Sequence, residues 1–262
     1  MKYALITGAS SGIGLELAKI MAANGHNLIL VARREEALQA LKVELESAHK
    51  VDIKIVAMDL SESGKALALY RHCVSKQLTV DCLVNNAGYG DYGAFDVNKL
   101  DTYRNMLQLN VTLLTELTAY FVNDMKARKS GRILNVGSLA AFQPCPSMAV
   151  YAASKAYVMQ FTEALNYELR GTGVSVTLLS PGVTETGFVT RANMGTAANA
   201  KSGLMSAKKV AMEGYKSMMA GKLNVIPGWK NNILALGSKT MPSRELLLKI
   251  AARIFKDTTV KV

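Results

Sequence analysis

The chain has 262 residues, half of them apolar, and a formal net charge of +11 at neutral pH. It is long enough to bury a sizeable core in one or two domains, yet no apolar run approaches the ~20 residues of a membrane span, and the run after Lys2 is too short for a signal-peptide core. Cys73, Cys82 and Cys145 lack paired spacing, and His26, His49 and His72 stand apart from any cluster, so the expectation is a cytoplasmic protein with reduced thiols and no metal site.

In chain order, YALITG (3–8) reads as a first strand. The glycine-rich turn TGASSGIG (7–14) follows, and then IGLELAKIMAANG, apolar at helical spacing and stopped by a glycine. At such a strand–helix junction Gly8, Gly12 and Gly14 let the backbone approach a pyrophosphate seated at the helix N-terminus. Ser10, Ser11 and Ile13 complete that cradle. The spacing is G-x-x-x-G-x-G, and by itself a tight turn would explain it.

The second strand, NLILVAR (27–33), ends in Ala32-Arg33-Arg34 with no acid for a ribose 2′-hydroxyl. Two guanidiniums suit a 2′-phosphate, which points to NADP(H). The plainer alternative is a solvated helix start in which they pair with Glu35 and Glu36. DIKIVAMDL (52–60), CLVNNAG (82–88), RILNVGS (132–138) and VSVTLLSPG (174–182) read as further strands. Each is continuously apolar, as parallel strands covered on both faces are. Strict alternation with helical segments predicts an α/β fold: a doubly wound parallel sheet (Rossmann fold), three layers αβα, in a single domain over 1–262.

Residues 183–205 are rich in Gly, Ala, Thr and Asn, and following a strand end they read as a substrate lid. A basic tail (206–262) comes next: SAKKVAMEGYKSMMAGK as a helix, LNVIPG as a short strand, SRELLLKIAARIF as a terminal helix. From Lys201 onward twelve Lys and Arg face three acids. No nucleic-acid-binding motif accompanies this charge. Docking of the terminal helix on its own domain or a neighbouring subunit is the plain reading; peripheral contact with lipid, or attraction of an acyl carrier or coenzyme A ester, are the others.

Taken together, TGASSGIG, NNAG (85–88), Asn110, Ser138, YAASK (151–155) and PG (181–182) resemble the short-chain dehydrogenase/reductase family in its compact single-domain branch. The resemblance runs through residue 205, with motifs in the family's order and spacing. The segment after Met205 is similar to the tails of a ketoreductase-like subgroup. The resemblance implies a catalytic tetrad of Asn110, Ser138, Tyr151 and Lys155. A free tyrosine, with a pKa near ~10, is a poor acid at neutral pH. Lys155, one helical turn on, together with an oxidised nicotinamide, would lower it, while also holding the nicotinamide ribose. Ser138 would hold the substrate oxygen, and Asn110 a water leading from Lys155 to solvent.

By the same resemblance Asp59, with Leu60 beside it, contacts the adenine. Asn86, Ala87 and Gly88 line the adenosine ribose, and Pro181, Gly182, Val183 and Thr186 (or Thr184) hold the carboxamide. Ser11 stands where many NADP-preferring members carry a basic residue, which leaves selectivity mainly to Arg33, with help from Arg34. Tyr89, Tyr92, Phe142, Cys145, Met148 and Phe188 would line a substrate pocket, with Arg191 as a candidate anchor. Such a lining favours an apolar or moderately polar ketone or aldehyde, and Cys145 is wall rather than nucleophile.

The function implied is an NADPH-dependent carbonyl reductase, a homodimer or homotetramer through the helices at about 99–127 and 151–170. Its alternatives are an NADP(H)-binding sensor or scaffold without turnover, and an extended-branch epimerase or dehydratase, against which the glycine spacing argues.

Overall fold

A computed structural model of the chain describes residues 1–188, 192 and 204–254. The six apolar runs form β1 (Lys2–Thr7), β2 (Asn27–Ala32), β3 (Ile53–Ala57), β4 (Thr79–Asn85), β5 (Gly131–Val136) and β6 (Val174–Leu179). β4 begins earlier than the sequence suggests because Thr79 and Val80 pair with Lys2 and Tyr3 ahead of an irregularity in the ladder. Between the strands lie α1 (Gly12–Ala23), α2 (Glu35–Ala48), α3 (Lys65–Ser75), α4 (Leu100–Leu107), α5 (Leu113–Ala127) and α6 (Ala149–Glu168). The long helix expected at 99–127 is thus two α segments joined by a π turn, Gln108–Thr112.

Beyond β6 come two short paired strands, β7 (Thr184–Glu185) and β8 (Met205–Ser206). They bracket most of the expected lid; residues 189–191 and 193–203 of it lie outside the described residues. The chain continues through α7 (Ala207–Met219) and β9 (Asn224–Val225) to α8 (Trp229–Thr240) and α9 (Arg244–Ile254). The expected basic tail is therefore largely structural: β9 extends the main sheet beside β6, and Val210, Ala211 and Met218 of α7 join the core packed on α1. Helix α8 is not anticipated by the sequence, since its large apolar residues face outward and give no core-facing stripe.

The main sheet has the order β3-β2-β1-β4-β5-β6-β9, parallel throughout. Alternate residues feed two cores. Ala4, Ile6, Leu28 and Leu30 meet Leu17, Met21 and Leu38 on one face, while Leu5, Ile29, Val31 and Leu83 meet Leu69, Leu117 and Phe121 on the other. Burial of both faces explains the unbroken apolar runs, and the order reverses direction between β1 and β4, where ligands of such sheets sit.

One buried polar chain crosses the structure beneath that end of the sheet. Asn85 Nδ2 donates to Thr118 Oγ1 (3.0 Å) and to Asn135 Oδ1 (2.9 Å), and Asn135 Nδ2 donates to Thr162 Oγ1 (2.9 Å). It binds α5, β4, β5 and α6 together through groups that would be costly to leave unpaired. Among the described residues no helix is long and apolar enough to cross a membrane.

Replacing Asn135 with valine strands the partners on both sides and should cost about 2–3 kcal/mol in urea unfolding; a loss below about 0.5 kcal/mol would contradict this account of the polar chain.

Candidate active site

The carboxyl ends of β1 and β4 are stapled together. Thr7 Oγ1 donates to the Val84 carbonyl (3.1 Å) and accepts from the N–H groups of Asn86 and Ala87 (both 3.0 Å). Asn86 Nδ2 donates to the Thr7 carbonyl (2.8 Å) and lies so close to Gly14 that a side chain there would collide with it and with the Gly8 carbonyl. Gly8, at φ +68°, makes the turn itself. Helix α1 begins at Gly12 with no capping side chain from Ser11 and no acid in its first turn. Its free N–H groups and positive dipole end fit a bound phosphate. The Ile13 side chain packs against the core, and its N–H stands at the open start of the helix.

Two arginines stand beside this turn. Arg34 Nη2 donates to the Ser10 carbonyl (3.1 Å) and to Ser10 Oγ (3.3 Å), whereas Arg33 Nη1 lies 3.8 Å from Asp59 Oδ2. Asp59 also accepts from the Ser61 N–H (3.0 Å) and hydroxyl (2.7 Å). Burial alone would raise its pKa, but those hydrogen bonds and the charges of Arg33 and Lys65 hold it below the usual value. Leu60 is buried beneath it in the α3–α5 core. The structure thus sets Arg34, rather than Arg33, in contact with the glycine turn, a pairing the sequence left secondary.

The catalytic candidates converge from three elements. Tyr151 and Lys155 are one turn apart on α6, both buried, with Lys155 Nζ 5.9 Å from the tyrosine ring centroid. Lys155 Nζ donates to the Val136 carbonyl at the end of β5 (2.8 Å). Ser138, just beyond that strand, stands beside Tyr151, and its side chain accepts from the Ala140 N–H (3.1 Å). Asn110 is buried in the π turn. Its Oδ1 accepts from the Tyr89 N–H (3.2 Å), and its Nδ2 donates to the Tyr89 carbonyl (3.0 Å) and to Ser154 Oγ (3.0 Å). The Asn110 side chain therefore clamps the Tyr89 loop to α6. Ser154, missed from the sequence, is the third member of that clamp and donates in turn to the Tyr151 carbonyl (2.7 Å). Gly88 touches both sites: a Cβ there would lie 2.8 Å from Asn110 Oδ1 and 3.5 Å from Lys155 Nζ.

In the chain alone, burial dominates the electrostatics of this pair. Burial pushes the Tyr151 phenol up to about 12, and the Ser138 side chain beside it opposes this. Burial also lowers Lys155 to about 8. The chain's own groups do not depress the tyrosine, because desolvation outweighs the help available from Ser138 and from a lysine committed to Val136. Burial likewise raises the Cys145 thiol to about 12, consistent with a wall residue.

The loop after β6 closes one side. The Pro181 carbonyl accepts from the Leu139 N–H (2.9 Å), and Thr184 Oγ1 is taken up by the Gly182 carbonyl (2.9 Å). Val183 is exposed, and Thr186 reaches the glycine turn, its methyl 3.1 Å from where a Gly12 Cβ would be. Gly182 itself abuts Asn231 of α8, another contact with no sequence signal.

Tyr89, Tyr92, Cys145, Met148 and Phe188 gather around Tyr151 together with Met106 and Ala192, and the Phe188 and Tyr151 rings lie 5.3 Å apart. Phe142 does not join them. It turns the other way, into a separate core with Leu114, Met159 and Ala235 of α8, because the one-turn helix after Ser138 points it beneath α8. Arg191 lies outside the described residues. Among the described residues no group of three or more His, Cys, Asp or Glu side chains converges.

Residues 2–197 match the short chain dehydrogenase family model. The chain is 40% identical over 186 residues to the sulfoacetaldehyde reductase of Chromohalobacter salexigens, covering 70% of this chain and 72% of that protein. It is 36% identical over 184 residues to the very-long-chain 3-oxoacyl-CoA reductase of Kluyveromyces lactis, covering 68% of this chain and only 53% of that protein, about half its length. Its structure is similar to that of a Sphingobium yanoikuyae short-chain dehydrogenase in complex with NADPH, with a TM-score of 0.81, 27% identity, and coverage of 100% and 99% of the two chains. It is also similar to a Burkholderia phymatum short-chain dehydrogenase/reductase in complex with NAD, with a TM-score of 0.81, 25% identity, and coverage of 100% and 97%. A seven-stranded parallel sheet with its glycine turn at the switch point, carrying this family match over three quarters of its length, identifies the chain as a member of the short-chain dehydrogenase/reductase family of oxidoreductases.

Proposed function

We propose that the chain is an NADPH-dependent reductase of an apolar or moderately polar ketone or aldehyde, with Tyr151 as proton donor. The observation that carries this reading is the buried Tyr151–Lys155 pair, with Ser138 beside it, next to an uncapped helix N-terminus. The nicotinamide, when bound, supplies the hydride. Tyr151, protonated throughout the neutral range, hydrogen-bonds the carbonyl oxygen and gives up its phenolic proton as negative charge develops there. Ser138 donates to the same oxygen and fixes its position. The Lys155 ammonium stabilises the resulting phenolate, and the aromatic and thioether wall excludes water.

Arg33 and Arg34, at the turn where an acid would select NAD, support the choice of NADP(H). The pocket's apolar lining, with Lys99 already paired to Asp91 (2.9 Å), supports an uncharged substrate. The same reading takes the protein to act in the cytoplasm as a homodimer or homotetramer, and Leu107, Tyr157 and Tyr167 lie exposed on the helices that would pair.

Tyr151→Phe should lower carbonyl-dependent NADPH oxidation by about 10²–10⁴-fold while cofactor affinity, followed by fluorescence titration, stays within about threefold. Unchanged turnover would sink the assignment. Because Lys155 must carry its proton and its pKa lies at about 8, kcat/KM for reduction should be level through neutral pH and fall above about pH 8. A profile flat to pH 10 would remove Lys155 from the mechanism. Arg33→Ala should weaken NADPH binding at least about tenfold, or 1.4 kcal/mol, and leave NADH binding nearly unchanged; equal losses for both cofactors would mean that no 2′-phosphate is read there.

A further inference from the structure

Helix α8 is amphipathic in the reverse of the usual sense. Its small and polar residues face inward: Ala235 is buried against Leu114, Phe142 and Met159, Asn231 abuts Gly182, and Ser238 Oγ donates to Gln143 Oε1 (3.0 Å). Its largest apolar residues face solvent, with Trp229 70%, Ile233 59%, Leu234 58% and Leu236 63% exposed. Trp229, Ile233 and Leu236 follow an i, i+4, i+7 spacing and so form one stripe. Such a stripe on a soluble domain marks something it binds.

The charge carried by the helix identifies the occupant. Its charged residues are Lys230 and Lys239, both exposed, and it has no acid. No ion pair among the described residues engages either lysine. Lys230 Nζ sits 5.7 Å from the Trp229 ring centroid, an aromatic body and a cationic tip side by side. A second copy of this chain bringing the same face to a two-fold contact would set cations against cations. An anionic bilayer matches both features: the aliphatic and indole groups enter the acyl boundary while long basic side chains stay at the headgroups.

We propose that the outer face of α8, with Lys230 beside Trp229, is a peripheral docking surface for anionic lipid. Its seat is the helix whose inner side rests on the Ser138–Gln143 turn, so docking brings the bilayer to the substrate side of the molecule.

Trp229 is the chain's only tryptophan, so its emission reports on this face alone. The full-length protein is mixed with vesicles of phosphatidylcholine, with or without phosphatidylglycerol, and followed by tryptophan emission and co-sedimentation. The expected result is a blue shift and pelleting at least about tenfold stronger with phosphatidylglycerol. Both should weaken in high salt and be lost in Ile233→Asp and in Lys230→Glu, whose circular dichroism melts should match wild type. Absence of shift and pelleting with phosphatidylglycerol overturns the proposal, as does equal binding to pure phosphatidylcholine. Emission already blue without vesicles, moving to the red on dilution in step with the sedimentation coefficient, would assign the face to a second copy and also overturn it.

Discussion

An ammonium group carried into the interior is the constraint around which this site is built. Lys155 Nζ is buried and held by one carbonyl, that of Val136. A shift from 10.5 to about 8 corresponds to about 3 kcal/mol charged against folding at neutral pH. The folded pKa lies below the unfolded one, so this cost is present in full below about pH 8 and disappears as pH rises towards the unfolded value. The fold keeps the residue because β5 delivers the Val136 carbonyl and α6 delivers the lysine, and neither element can shift without exposing a core. Tyr151, raised to about 12 by the same dry surroundings, is a proton store that opens only when charge develops beside it.

Holding two ionisable groups in so dry a place demands a stiff surround, and polar bonds rather than apolar contacts provide it. Beneath the site the Asn85–Asn135–Thr162 chain locks strands to helices, and above it Asn110, Ser154 and the Tyr89 backbone close a second ring. The first of these is fully internal, so register errors in β4 or β5 would leave several groups unpaired at once. The C-terminal segment adds a third brace through Asn231 against Gly182 and Ser238 on Gln143. What touches α8 from outside is thereby mechanically close to Ser138.

The sequence makes the sheet legible because parallel strands covered on both faces carry apolar residues at consecutive positions, and β1, β2, β4, β5 and β6 do so over most of their length. The glycine turn and the Tyr151–Lys155 pair are legible because close backbone approach and helical spacing leave marks on residue type. Other features leave no such mark. Helix α8 buries only small residues, so no apolar period announces it. Phe142 has the composition of a pocket residue, and a single 3₁₀ turn reverses its direction. The balance of burial against charge at Tyr151 depends on solvent exclusion from several elements together, which no local pattern encodes. Arg34 rather than Arg33 reaches Ser10 because consecutive side chains leaving a strand point to opposite sides.

The π turn at Gln108–Thr112 governs the angular phase of the helix that contains it. In an uninterrupted α-helix Met106 and Leu113, seven residues apart, would face within about 20° of each other. Here Met106 belongs to the cluster around Tyr151, while Leu113 belongs to the core under the sheet with Leu117 and Phe121. The Leu113 N–H reaching back to the Gln108 carbonyl accommodates one extra residue in that turn and offsets the two halves by about 100°. The helix can therefore vary in length at its ends but not in the middle. Deleting one residue between Gln108 and Thr112 would bring the halves back into step and turn one of them, with either its pocket residues or its core residues, towards water.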